Sequence, residues 1–153
     1  MKFDQFYQSA QPITPEGGAS FALFAAMSVA ELADAVPEAQ RRGFYLAVGR
    51  RMATVETLSG VDDASALCWR VNAFWQSLGW GEAEIAIERD SIVVRHRDAP
   101  MPDDDVATGP WLAMLLAVLE GAYDSWFRRL GSGPTLQTHA EWKGDTVELR
   151  HGR

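Results

Sequence analysis

The sequence predicts an α+β domain: three N-terminal helices, a β-hairpin, a long buried helix and a second β-hairpin, with an antiparallel sheet packed on helices. Three observations predict it. Apolar residues recur at spacings of three and four before residue 79 and again over 108–131, which is helical periodicity. The period changes to two over 84–96 and again over 134–150. Turn residues, Arg89-Asp90-Ser91 and Lys143-Gly144, divide each of those stretches into two arms. Strands joined by such short turns pair antiparallel, and a sheet with one wet face needs helices on the other.

In chain order, residues 1–19 read as a flexible arm and 20–153 as a single domain. Pro12, Pro15, Gly17 and Gly18 interrupt any regular element in the arm. Phe3, Phe6 and Tyr7 are aromatics without a periodic pattern behind them, suited to docking on a neighbouring subunit or holding a ligand. A first helix over 20–35 has Ser20 as its cap and Phe21, Phe24, Met27, Ala30 or Glu31, and Leu32 down one side. Pro37 stops it and opens a second helix reaching about Glu56, with Phe44, Ala47 or Val48, Met52 and Val55 on the inner face. Arg41, Arg42, Arg50 and Arg51 lie mostly opposite. They read as a solvated face rather than a phosphate or cyclic-dinucleotide site, because no glycine-rich phosphate loop accompanies them.

After the loop 57–62, Asp62 or Asp63 caps a third helix to about Leu78, whose core face is Leu67, Val71, Phe74 and Leu78. Trp69 and Trp75 lie off that stripe and Trp80 follows it. Indoles so placed stack on sugars, anchor interfaces or fill the rim of a core. Asn72 is expected to bond a neighbouring backbone group. The first hairpin pairs Glu84–Glu88 with Ile92–His96. In the loop 98–108, Asp103, Asp104 and Asp105 read as a solvated turn, since they lack the spaced ligands of a calcium loop.

The long helix over 108–131 dominates the chain. Pro110 sits at its first position and Gly131 closes it. Leu112, Leu115, Leu119, Ala122, Trp126 and Leu130 form one face, widened by Trp111, Met114 and Val118. A helix this apolar is buried by its own domain or by a partner subunit. Gly121 in its middle costs roughly 1 kcal/mol relative to Ala, which close approach of another backbone would offset. Gly121, Tyr123, Trp126 and Phe127 are therefore candidate oligomer-interface residues, and Gly121→Leu is expected to break assembly without unfolding the subunit. Glu120 is the only charge between Pro110 and Tyr123. It reads as a buried structural carboxylate that bonds backbone or pairs with a cation, with general acid–base catalysis as the functional alternative. The second hairpin, about 134–142 and 145–150, completes the chain.

Composition bounds the function. The net charge of −7 disfavours nucleic acid and anionic membranes as partners. One cysteine, Cys68, allows no intrachain disulfide, and with three scattered histidines it makes no zinc site. No signal peptide or transmembrane run is visible, so the chain reads as a soluble cytoplasmic protein. No nucleophile elbow or dinucleotide loop is present. Glu84 and Glu88 could in principle flank a glycosidic bond, but alternating Glu on a wet sheet face is ordinary. The reading is a non-enzyme without metal or cofactor.

Several stretches resemble the D subunit of the bacterial cellulose synthase complex: Val48-Gly49-Arg50 with Met52-Ala53, Asn72-Ala73, Trp80-Gly81, and Trp111-Leu112-Ala113 followed by Val118-Leu119-Glu120-Gly121, Tyr123 and Trp126. Order and spacing agree over roughly 20–150. The resemblance implies a non-catalytic accessory subunit of cellulose biosynthesis and secretion in biofilms, a homo-octamer built as a tetramer of dimers. It also implies either contact with β-1,4-glucan chains, lined partly by N-terminal segments, or a cytoplasmic scaffold that aligns synthase complexes with a proline-rich partner. Phe3, Phe6, Tyr7, Trp69, Trp75 and Trp80 are then the candidate glucan or partner contacts. A weaker resemblance, to vinyl-4-reductase-like and vesicle-tethering modules, implies a pocket for a small apolar ligand between helices and sheet.

Overall fold

The computed structural model describes residues 17–102 and 108–153, and side chains from residue 21 onward. The elements run α1 (Gly17–Ala35), α2 (Glu38–Ala53), α3 (Ala64–Ser77), β1 (Glu82–Ile87), β2 (Ser91–Arg97), α4 (Thr108–Arg129), β3 (Gln137–Lys143) and β4 (Thr146–Gly152). The fold is the α+β arrangement read from the sequence. Phe3, Phe6 and Tyr7 and the three aspartates at 103–105 lie outside the described residues.

Local chemistry sets the element ends. Helix α1 begins at Gly17, three residues before the Ser20 cap read from the sequence, so part of the expected arm is helical. Pro37 precedes α2 in an extended conformation and its carbonyl accepts from the Gln40 and Arg41 amides. Arg41 reaches back to the carbonyls of Ala33 and Val36 at 2.8 and 2.6 Å, closing the α1–α2 corner. Asp63 caps α3 by accepting from the Ala66 amide at 2.7 Å. Helix α2 stops at Ala53, where the Thr54 hydroxyl takes the Arg51 carbonyl at 2.6 Å.

The sheet order is β1-β2-β4-β3, every pair antiparallel. Register places Ala83, His96, Val147 and Trp142 in one cross-strand row and Ile85, Val94, Leu149 and Ala140 in the next. These rows face the helices. The opposite face carries a ladder of ion pairs: Arg97 with Glu82 and Glu84, Arg95 with Glu148, and Arg150 with Glu88 and Glu148. Glu84 and Glu88 are thus each engaged by an arginine.

Helix α4 is the hub, in contact with α1, α2, β3 and β4. One core lies between α3, α4 and the sheet: Leu67, Val71, Phe74, Trp75, Leu119, Tyr123 and Trp126 against Val94, Val147 and Leu149. A second gathers Ala26, Val29 and Tyr45 on Trp111, Met114, Leu115 and Val118. Helices α2 and α4 cross backbone to backbone. A Cβ on Gly49 would overlap the Val118 carbonyl, and one on Gly121 would overlap the Leu46 carbonyl. The close approach at Gly121 is therefore within the subunit. Gly121→Leu would collide with α2, which reverses the expectation that this variant folds normally.

Two helix faces differ from the sequence reading. On α2 the buried residues are Tyr45, Gly49 and Ala53, while Phe44 is exposed, as is Val55 just beyond the helix end. Small residues face α4 because they permit the close crossing, which turns Phe44 outward. On α1 the inner side is Ala26 and Val29, and Phe21, Phe24 and Met27 point to solvent.

Candidate functional site

The outer side of α1 exposes large apolar groups in a row: Phe21 at 76%, Leu23 at 57%, Phe24 at 70% and Met27 at 41%. Side chains of this size cost most when left wet, and their clustering on one short helix marks a surface for contact rather than scattered exposure. Phe44 on α2 is exposed as well.

The interface residues read from the sequence lie elsewhere. Gly121, Tyr123, Trp126 and Phe127 are buried among the subunit's own elements. Trp126 donates to the Ala53 carbonyl at 3.2 Å, tying α4 to the end of α2. Tyr123 is the hinge of a hydrogen-bonded chain. The Trp75 indole donates to its hydroxyl at 3.0 Å, the hydroxyl donates to His96 Nδ1 at 3.0 Å, and His96 Nε2 donates to the Trp80 carbonyl at 2.7 Å. That tautomer lets every polar atom of the chain pair. Burial pushes the His96 pKa down and the Tyr123 pKa up, so both stay neutral. The Trp80 ring stacks on Trp75 with centroids 5.7 Å apart. Of the three candidate tryptophans, Trp75 is core, Trp80 is half-buried against it, and Trp69 stands 70% exposed on α3.

Glu120 joins three elements. Its Oε1 accepts from Arg42 at 2.6 Å and its Oε2 from the Ala140 amide at 3.2 Å. Strand β3 is a sheet edge, and this carboxylate occupies one of its outward amides. Asn72 clamps α3 to β1: its amide group donates to the Ala83 carbonyl at 2.8 Å and accepts from the Ala83 amide at 2.7 Å.

A cleft of about 440 Å³ opens between the start of α3, the end of α4 and the β1–β2 turn. Val61, Leu67, Ile85, Ile87, Phe127 and Leu130 form its walls, and His151 lies in its floor. Asp124 accepts from the Thr138 hydroxyl at 3.0 Å and from Arg128 at 2.8 Å. With its proton given to Asp124, Thr138 accepts from His151 Nδ1 at 2.8 Å. The His151 Nε2 lone pair is then left buried with no partner. Burial holds the His151 pKa down, so the ring is neutral.

His96, His151 and Arg42 were missed as functional positions in the sequence. Strand parity held the signal for both histidines: His96 shares its side of β2 with Ile92 and Val94, and His151 shares its side of β4 with Val147 and Leu149. Among the described residues no group of His, Cys, Asp and Glu could hold a metal ion. No described helix is long and apolar enough to cross a membrane.

Compared with curated proteins, the chain finds no match. The family model for the D subunit of cellulose synthase matches residues 12–152, nearly the whole chain and somewhat more than the stretch that carried the resemblance, and the chain belongs to that family.

Proposed function

We propose that this accessory subunit of bacterial cellulose synthesis is a non-catalytic scaffold that assembles with copies of itself through the outer face of α1. The observation that carries the reading is the row Phe21, Leu23, Phe24 and Met27, too apolar to serve as a solvated surface. Isologous pairing of two such faces gives a dimer, and four such dimers, joined through a second contact, give the even-order ring, an octamer, that the family resemblance implies. Such an assembly would align synthase complexes, or the glucan chains leaving them, so that chains crystallise side by side in the biofilm matrix. Its partners are then other proteins of the synthase complex, a proline-rich scaffold protein among them, on the cytoplasmic side. Trp69 is the described aromatic best placed to touch β-1,4-glucan or a partner. The candidates Glu84, Glu88 and Glu120 are held in ion pairs, which supports a structural role for each.

Light scattering on a sizing column, with and without soluble cello-oligosaccharide, tests the proposal. An octamer-sized species is expected, and a sugar-dependent change would favour glucan contact over scaffolding alone. A monomer at micromolar concentration would overturn the assembly.

A further inference from the structure

The cleft floored by His151 lies apart from the α1 face, on α3, the β1–β2 turn and the end of α4. Its walls are largely aliphatic, and two polar atoms of its lining residues are buried without a partner, the Nε2 lone pair of His151 and the hydroxyl of Ser132. A buried acceptor in an apolar site rewards a guest that brings one hydrogen-bond donor on an apolar body. Three aspartates stand on the rim, Asp62, Asp63 and Asp90. Asp62 and Asp90 pair with no basic side chain among the described residues, and Glu88 beside them is already engaged by Arg150. Arg89 is the one cation of the adjoining turn and does not line the cleft. A shallower depression lined by Trp69 adjoins the cleft and shares Val61 and Asp63 with it. An exposed indole next to carboxylates suits a cation above its ring.

We propose that this cleft is a docking site for a partner polypeptide, which inserts a tyrosine or tryptophan side chain flanked by lysine or arginine. The aromatic ring fills the aliphatic walls; His151 is only 1% exposed, so the floor must part as the ring enters, and its O–H or N–H then donates to Nε2. The flanking cations meet Asp62, Asp63 and Asp90, with Trp69 beside them. The cleft volume of about 440 Å³ is at the small end of ligand pockets, enough for one aromatic side chain and its neighbours. Ile87, which is 69% exposed at the lip, gains cover on docking that it lacks in the free protein. Docking here goes beyond self-assembly and does not depend on it.

The test titrates the full-length protein with two peptides, acetyl-Lys-Tyr-Lys-amide and acetyl-Lys-Phe-Lys-amide, which differ by the one hydroxyl donor. The expected result is about three- to tenfold tighter binding of the tyrosine peptide. The nitrogen resonance of His151 Nε2 should move in the direction of hydrogen-bond acceptance with that peptide only. Raising salt should weaken both peptides, because the rim charges are exposed. In His151→Phe the preference should vanish. Should that variant not fold, Ile87→Ala, at an exposed lip position, should weaken both peptides alike, and the resonance shift in the parent protein decides the matter. Equal affinity for the two peptides, a preference that survives in His151→Phe, or a cleft already filled by a small molecule that neither peptide displaces would overturn the proposal. The assembly mass from light scattering should be unchanged by either peptide, so failure here and failure of the α1 assembly are read separately.

Discussion

Glu120 shows how a single residue can look catalytic in a sequence and be structural in the fold. Its carboxylate serves an arginine on α2 and an edge amide on β3 at once. Glu120→Ala should cost about 1–3 kcal/mol in urea unfolding, because the Ala140 amide loses its acceptor in a half-buried place. Glu120→Gln keeps an acceptor for that amide and should cost less than about 1 kcal/mol, since Arg42 is half exposed and the pair is screened. Equal losses for the two variants would mean that the charge, not the amide bond, is what matters. His96 gives a second prediction, in pH. Burial lowers its folded pKa below the unfolded value near 6.5, as it does for His151. The unfolded chain therefore binds more protons as pH falls through that value, and stability present at neutral pH is lost on acidification. Each histidine contributes at most about 1.4 kcal/mol per pH unit. The urea midpoint should fall between pH 7.5 and 5.5, and His96→Gln should be less stable at pH 7.5 but show a shallower fall. An unchanged slope in that variant would place the titrating group elsewhere.

Helices α2 and α4 show which features spacing locates and which it leaves open. The recurrence of apolar residues and the cap residues Pro37, Asp63, Pro110 and Gly131 locate the helices within a few residues. Periodicity also locates the strands, because alternation such as Ile92, Val94 and His96 follows directly from the pleat. What it does not give is the rotation of a helix about its own axis when small residues make the contact. Phe44 outweighs Gly49 in any apolar count, yet Gly49 faces α4, because the crossing brings the Val118 carbonyl where a Cβ would stand. The same weighting sends Gly121, Tyr123, Trp126 and Phe127 to a subunit interface, whereas the fold uses them inside. Nor could sequence spacing show that Thr138 and Asp124 would leave the Nε2 of His151 bare, since those residues meet only across the packed sheet and helix. The crossing predicts opposite signs for one substitution at two glycines. Gly121→Ala should destabilise by about 1–3 kcal/mol or more, as backbone overlap exceeds the helix-propensity gain. Gly43→Ala, on the open side of α2 with no atom near the added methyl, should stabilise by up to about 1 kcal/mol. Thermal unfolding of the two variants under matched protein concentration checks both.

Across the protein as a unit, the distribution of apolar surface separates folding from assembly. The cores on the two sides of α4 are built from side chains that solvent barely reaches, while α1 presents its largest side chains outward. Removing Phe21 and Phe24 should therefore leave the subunit's packing intact. The double variant Phe21→Glu, Phe24→Glu should keep the far-ultraviolet circular dichroism of the parent and lose the high-mass species, because each subunit would bring two carboxylates, without partners, into the contact. Its melting temperature should also fall and lose its dependence on protein concentration, since assembly stabilises only the folded protein. Gly121→Ala supplies the contrast. That variant attacks the α2–α4 crossing, so it should lower stability at any concentration without first dissociating the assembly. If the α1 double variant keeps its full mass, α1 is not the assembly face. The row of exposed phenylalanines would then have to be covered by something other than a second copy of this chain.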